Sequence, residues 1–139
     1  MAGLFSFLTR AYAPRFRNYL EEQQKMKDDL VKEMQAPAYA STKDTPYDRA
    51  QGFATGLLAM RDFPEFSAAN ANLFGSAFED AQGMAYGNWE DVARDKANNL
   101  AAYKWYEEQR KRDPNFTMSE EDMKWLGQLY SKGLLDVSL

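Results

Sequence analysis

The chain contains 139 residues, of which 45% are apolar and 27% are charged, and it has neither cysteine nor histidine. These proportions are typical of a globular protein, and a chain of this length most simply forms one domain. The lack of cysteine excludes disulfides and thiolate metal sites, and the lack of histidine removes the usual general base near neutral pH. Composition therefore favours a non-catalytic protein. An enzyme that uses carboxylates with tyrosine or lysine is the less favoured alternative.

The net charge of −4 is unevenly distributed along the chain. Residues 1–20 contain three arginines and no acidic residue, so the remainder carries −7. Because nucleic-acid binding requires a basic surface, we do not expect this acidic body to bind DNA or RNA. No apolar run reaches the roughly 18 residues that span a bilayer, and no glycine-rich phosphate loop is present. We therefore predict no cofactor and no small-molecule substrate.

The first predicted element is a short amphipathic segment, residues 1–13. In a helix its large apolar side chains share one side, across from Arg10: Leu4, Phe5, Leu8 and Tyr12. This basic, acid-free start resembles a mitochondrial targeting segment, and "RAYA" at 10–13 resembles a matrix-peptidase site. The same pattern fits binding to an anionic membrane surface, or docking on the protein's own helices. All three interpretations stay open at this point.

A first long helix is predicted from Pro14 to about Gln35, because a proline suits the start of a helix. Its apolar stripe begins with Phe16, Tyr19 and Leu20, but its middle, "EEQQKMKDD", is almost wholly polar. Such a helix is either half solvated or an arm that crosses to another chain. Residues 36–46 read as a linker of turn-forming residues.

The second predicted helix begins with a clear start signal and runs to about Arg61. Thr45 is a helix cap, Pro46 suits the first helical position, and an acidic residue follows in the first turn. Gly52 and Gly56 lie opposite its apolar stripe. They either allow another backbone to approach closely or only loosen the helix, and the second interpretation is slightly favoured.

Three further helices complete an all-α, irregular bundle of about five helices. The third spans about 67–82 with Leu73 and Phe74 on its apolar face, and the fourth runs from a cap at Asn88 to the Asp113-Pro114 stop. The fifth begins at a capping-box-like "SEED" and ends at Lys132-Gly133.

The segment 113–124 resembles an EF-hand calcium loop but fails at two essential places. Met118 stands where the turn needs glycine, and Lys124 stands where calcium needs a bidentate glutamate. We therefore predict helix capping rather than metal binding by these residues.

Two tryptophans, Trp105 and Trp125, point away from the apolar faces of their helices. Each is either packed by a second neighbour or exposed as an interface anchor. The C-terminal tail is apolar to its last residue, Leu139, so we expect it either to fold back on the protein or to insert into a neighbour.

These features favour a non-catalytic accessory or adaptor subunit of a larger assembly, such as a mitochondrial membrane complex or a virion. The alternative is a peripheral membrane-binding module led by the N-terminal segment. The organisation predicted is a segment 1–13 followed by one helical domain, 14–139. A mitochondrial location follows only if the N-terminal segment is a targeting sequence, and a virion or the cytoplasm are the alternatives. The candidate partner or membrane contacts are Leu4, Phe5, Leu8, Arg10, Tyr12, Arg15, Arg17, Trp105, Trp125 and Leu139.

Overall fold

The computed structural model describes residues 2–37, 43–86 and 89–137, and it describes side chains from residue 14 onward except those of 78–79 and 81–86. Within these ranges the secondary structure consists of five α-helices and no strand. This confirms the predicted all-α bundle. The helices are α1 (Ala2–Met34), α2 (Pro46–Asp62), α3 (Ala68–Tyr86), α4 (Trp89–Arg112) and α5 (Glu120–Ser131).

The start of α1 differs from the prediction. The helix begins at Ala2 rather than at Pro14, and Pro14 lies inside it. Proline removes one helical hydrogen bond, but its fixed φ is compatible with a helix, so its presence does not by itself end one. The short amphipathic segment and the long helix are therefore one continuous α1, while the division into two functional parts stays a prediction.

Helix α2 is the centre of the bundle, and α1, α4 and α5 all pack against it. Twelve of its 17 residues are buried. Its start follows the prediction, since Thr45 accepts a hydrogen bond from the Asp48 nitrogen at 3.1 Å and Pro46 occupies the first turn. Because small residues alternate with large ones along it, neighbouring helices can approach from several sides.

The two glycines of α2 provide the closest of these approaches. A Cβ atom added at Gly52 would lie 2.8 Å from the Asn98 Cβ, and one added at Gly56 would lie 2.7 Å from the Ala102 Cβ. Both neighbours belong to α4. Close approach is thus the correct interpretation of the glycine pair, and the slightly favoured alternative of a merely loosened helix is wrong.

The C-terminal end of α2 is held by arginines from two other helices. Arg110 of α4 donates to the carbonyl of Met60, and Arg15 of α1 donates to that of Asp62 at 2.6 Å. A helix C-terminus carries partial negative charge and unpaired carbonyls, so both arginines stabilise this end.

The beginning of α3 is capped by two side chains. Ser67 accepts from the Asn70 nitrogen at 3.1 Å, and Glu107 of α4 accepts from the Ala68 nitrogen at 2.7 Å. The helix continues four residues beyond its predicted end, to Tyr86. The predicted cap of α4, Asn88, lies outside the described residues.

Helix α5 begins and ends where the sequence predicts. Ser119 accepts from the Asp122 nitrogen at 3.2 Å, and Gly133 adopts a left-handed φ of 71° just after the last turn. Its Lys124 is buried against α1, where the ammonium lies 3.1 Å from Asp29 and 3.4 Å from Glu33. This lysine therefore joins the C-terminal end of the long first helix to α5.

Candidate functional site

An apolar groove, here called the aromatic groove, opens between α1 and α3. Its floor is formed by α2 and α4, and its volume is about 90 Å³. The groove is lined by Phe16, Tyr19, Leu20, Gln23, Ala59, Phe63, Phe66, Ala71, Phe74, Gly75, Asn99 and Tyr103.

One wall of the aromatic groove is a stack of three phenylalanine rings. Phe63 and Phe66 are 5.4 Å apart, and Phe66 and Phe74 are 5.0 Å apart, with nearly parallel rings in both pairs. The turn between α2 and α3 creates this order, because the Phe66 nitrogen donates to the Phe63 carbonyl at 3.0 Å. Tyr19 of α1 meets Phe63 edge-on at 6.0 Å. The wall is thus built by local chain geometry and then joined to α1.

The rims of the groove expose large apolar side chains to solvent. Phe16 and Leu20 on α1 are 41% and 36% exposed, and Phe74 on α3 is 38% exposed. The neighbouring Leu73 is 67% exposed. The sequence places all four on apolar stripes that would be expected to face the core. Their partial exposure on both sides of one groove marks a surface that can bury further apolar area.

The polar groups of the groove are few and uncharged. Gln23 donates to the Tyr19 hydroxyl at 3.4 Å, and that hydroxyl donates to the Thr55 carbonyl at 3.5 Å. A Cβ added at Gly75 would come within 2.6 Å of the Tyr103 hydroxyl, so a larger residue there would require the Tyr103 side chain to shift. The lining contains no charged residue. The groove therefore fits an uncharged, apolar group.

The two candidate tryptophans have different surroundings. Trp105 is half-buried, and its ring meets Phe53 at 6.5 Å and Phe116 at 6.0 Å, both edge-on. Trp125 is 61% exposed, although the residues on both sides of it in the chain, Lys124 and Leu126, are buried. Trp105 therefore belongs to the packing of the bundle. Trp125 remains the candidate contact, and it lies on α5, which does not line the aromatic groove.

The candidate arginines Arg15 and Arg17 also differ in their contacts. Arg15 contacts Glu65 at 2.7 Å and lies 4.8 Å from the centre of the Phe63 ring, in addition to its bond to the Asp62 carbonyl. It therefore holds α1 to the end of α2. Arg17 is exposed and keeps its role as a candidate contact. The side chains of the remaining candidates lie outside the described part of the chain: Leu4, Phe5, Leu8, Arg10, Tyr12 and Leu139.

A buried acidic side chain, which the search for sites in the sequence missed, lies where α2 meets α4. Asp48 is fully buried, and its Oδ2 lies 3.6 Å from the Arg94 Nε. Burial, followed by the nearby charge of Asp95, raises the pKa of Asp48 to about 7, although Gln51 and Arg94 partly offset this effect. Its position in the first turn of α2 was recognisable from sequence, but its burial depends on α4.

A second cluster of charges joins α1, α2 and α5. Arg61 lies 2.5 Å from Glu22 and 3.1 Å from Glu120. Burial and the carboxyls of Glu120 and Asp62 raise the pKa of Glu22 to about 7, against the opposing effect of Arg61. These groups bind one another across three helices, so their primary effect is on the packing of the bundle.

The residues of the EF-hand-like segment, 113–124, form a turn and the cap of α5. Asp113 accepts from the Asn115 nitrogen at 3.0 Å, and Ser119 caps α5. Lys124 lies 2.7 Å from Glu121 and fills the place of a calcium-binding carboxylate with a cation. Across the residues covered by the structure, no group of three or more acidic, cysteine or histidine side chains is arranged to hold a metal ion.

The fold and its surfaces define a five-helix bundle with a neutral aromatic groove on one side and an exposed tryptophan on another. None of the helices, over the residues that the structure describes, combines the length and apolar character needed to cross a membrane. No family model, curated protein or solved structure matches this chain.

Proposed function

We propose that this protein is a non-catalytic accessory subunit of a larger protein assembly. The observation that carries the proposal is the exposure of Trp125. An indole ring that is 61% exposed leaves a large rigid apolar surface in water. Tryptophan is enriched among the residues that dominate binding energy at protein interfaces, because it buries much area at little conformational cost.

The position of Trp125 supports a contact that is built into the fold. Met123 and Leu126 on the same helix are buried in the core, so α5 is fixed from its other side. Asp122, one turn before Trp125, is exposed and places negative charge beside the ring. A partner with an apolar pocket and a basic rim fits this surface.

Sedimentation of the full-length tagged protein from its native cells tests the proposal. The wild type is expected to sediment with a complex much larger than one chain, and Trp125→Ala is expected to shift toward lighter fractions. An interface residue of this kind contributes about 2 kcal/mol or more, so the affinity falls about 30-fold. Trp89→Ala is the matched control, because Trp89 is 51% exposed and lies on α4.

Two outcomes would contradict the proposal. The first is a wild-type protein that sediments as a single chain at its native concentration. The second is a Trp125→Ala protein that sediments with the complex as the wild type does. Flotation with lipid, abolished by mild detergent, would instead favour the membrane-binding alternative.

A further inference from the structure

We propose that the start of α4, residues 89–97, is a pH-controlled segment of the fold. A proton on the Asp48 carboxyl holds this segment against α2, and loss of the proton releases it. The groups involved, here called the carboxyl clasp, are Asp48 of α2 and Asp91, Arg94 and Asp95 of α4. The clasp does not include Trp125, so the inference goes beyond the proposed function and can fail independently of it.

Polar contacts contribute more than apolar packing to the position of this segment. Among residues 89–99, all of which the structure describes, Val92 is the only buried apolar residue, and it is not part of the main hydrophobic cluster. Further along α4, Tyr103 and Tyr106 belong to that cluster. A segment that buries little apolar surface can separate from the body of a protein at a lower free-energy cost than the core.

Asn98 marks the end of the segment that would be released. Its side chain accepts a hydrogen bond from the Tyr130 hydroxyl at 2.8 Å. At the same level Gly52 lets α2 approach so closely that an added Cβ would lie 2.8 Å from the Asn98 Cβ. Neither contact involves the carboxyl clasp. We therefore expect α4 to stay on α2 from Asn98 onward when the clasp opens.

Asp48 is the group whose negative charge the closed segment accommodates poorly. Its side chain is fully buried, and its Oδ2 accepts no hydrogen bond. Its Oδ1 accepts one from the Gln51 amide at 3.3 Å. Burial of an ionised carboxylate with so few donors is costly, whereas burial of a protonated carboxyl is much less so. The closed segment therefore favours the protonated form.

The other members of the clasp add to this preference. Asp95 and Asp91 both raise the pKa of Asp48, and the charge of Asp95 affects it more than the opposing charge of Arg94. Arg94 bonds to Asp91 and lies 3.6 Å from Asp48, so its one positive charge is shared between two carboxyls. Ionisation of Asp48 would thus add a negative charge to a seam that is already rich in carboxylates.

The elements on the other sides of α2 do not reverse this balance. The neighbouring cation, Arg49, pairs with Asp44 at 2.7 Å. From α1 the nearby charge is that of Asp28, which is negative and acts on the adjacent Tyr47 hydroxyl. From α5 the close approach is made by Gly127, which has no side chain.

The direction of the pH effect follows from the two states of Asp48. In the closed segment its pKa is raised to about 7, mainly by burial, and in water it returns to 3.8. The closed state is therefore fully favoured below pH 3.8 and is progressively lost as the pH rises through 7. Between pH 6 and pH 8 the ratio of open to closed segment should increase about tenfold.

Hydrogen exchange of the full-length protein at pH 6 and pH 8 tests the inference. Each rate is divided by the rate of the unfolded chain at the same pH. The amides of 93–97 are expected to lose about tenfold in protection in the wild type and at most about twofold in Asp48→Asn. Glu22→Gln is the matched control, because the pKa of Glu22 is also raised to about 7 but this residue lies in the cluster with Arg61. It should show the tenfold loss.

The dependence of exchange on urea separates local opening from unfolding of the whole chain. Release of a short segment exposes little surface, so the protection of 93–97 should change little up to about 1 M urea. The protection of the core amides of α5 should decrease steeply over the same range.

Three results would overturn the inference. They are protection of 93–97 that is constant between pH 6 and pH 8, a tenfold loss that persists in Asp48→Asn, or the same urea dependence in 93–97 as in α5. If any of them occurs while Trp125→Ala still dissociates the native complex, the proposed function stands and only the carboxyl clasp is wrong.

Discussion

Replacing Asp48 with asparagine is expected to stabilise the protein at alkaline pH and to change little in acid. Asp48 is fully buried, and its Oδ2 accepts no hydrogen bond, since the nearby Arg94 Nε lies 3.6 Å away. Asparagine has nearly the same shape and can keep the bond that Oδ1 accepts from the Gln51 amide at 3.3 Å. The change therefore removes a buried charge without opening a cavity.

The size of the effect follows from the pKa of Asp48, which folding raises from 3.8 to about 7. A raised pKa means that the folded state favours the protonated carboxyl. This contribution to stability is complete below pH 3.8 and is lost as the pH rises to 7. Three pH units correspond to about 4 kcal/mol, and the dipole at the start of α2 offsets up to about 1 kcal/mol. The gain at pH 8 is therefore about 3 kcal/mol.

Urea unfolding followed by circular dichroism at pH 4 and pH 8 measures this gain. The free energy of unfolding of Asp48→Asn, relative to that of the wild type, should increase by about 3 kcal/mol between pH 4 and pH 8. Asp28→Asn, the same change at an exposed position, controls for the substitution itself. A difference that stays constant with pH, or a variant less stable than the wild type at pH 8, would refute the reasoning.

Two further changes test the packing around α2 and α1. Gly56→Ala should lower the free energy of unfolding by about 1–3 kcal/mol, because the added Cβ would meet the Ala102 Cβ at 2.7 Å. This loss should outweigh the better helix propensity of alanine. Chemical denaturation measures the change, and a variant more stable than the wild type would contradict the prediction. Lys124→Met should lower the free energy of unfolding by about 2 kcal/mol, because Asp29 and Glu33 lose the buried cation that they contact. Hydrogen exchange should then increase first at the C-terminal end of α1, around Asp29 and Glu33, and unchanged exchange there would show that this lysine does not hold the helix.

The local start and stop signals of the helices could be predicted from sequence. Thr45 and Ser119 cap the helices that follow them, and Gly133 ends α5 in a left-handed conformation. Each signal depends on hydrogen bonds or backbone angles within a few residues. Such features are independent of what packs against the helix, so the sequence contains the whole cause.

Pro14 shows where a local signal has two meanings. The same residue is suited to the first turn of a helix and is tolerated within one, at the loss of one hydrogen bond. The choice depends on whether the helix of the residues before it continues through the proline, and the amphipathic pattern of residues 1–13 does not show this. The sequence therefore predicted the helix but placed its start twelve residues too late.

The candidate surfaces depended on contacts between helices, which a single helix pattern does not contain. Trp105 and Trp125 occupy equivalent off-face positions, yet only Trp105 is packed, because Phe53 and Phe116 reach it from other elements. The aromatic groove was missed for the same reason. Its apolar residues were visible as stripes on two helices, but the gap between those stripes exists only in the assembled bundle.

The central position of α2 has a consequence for synthesis of the chain. Its apolar surface is completed when Asp62 is made, but α5, which covers one side of it, ends about 70 residues later at Ser131. At roughly 5–20 residues per second this delay is about 3 to 14 s. During that time a helix containing Phe53, Leu57 and Leu58 lacks its later partners. The nascent chain therefore exposes apolar surface that is covered only once the last helix is in place.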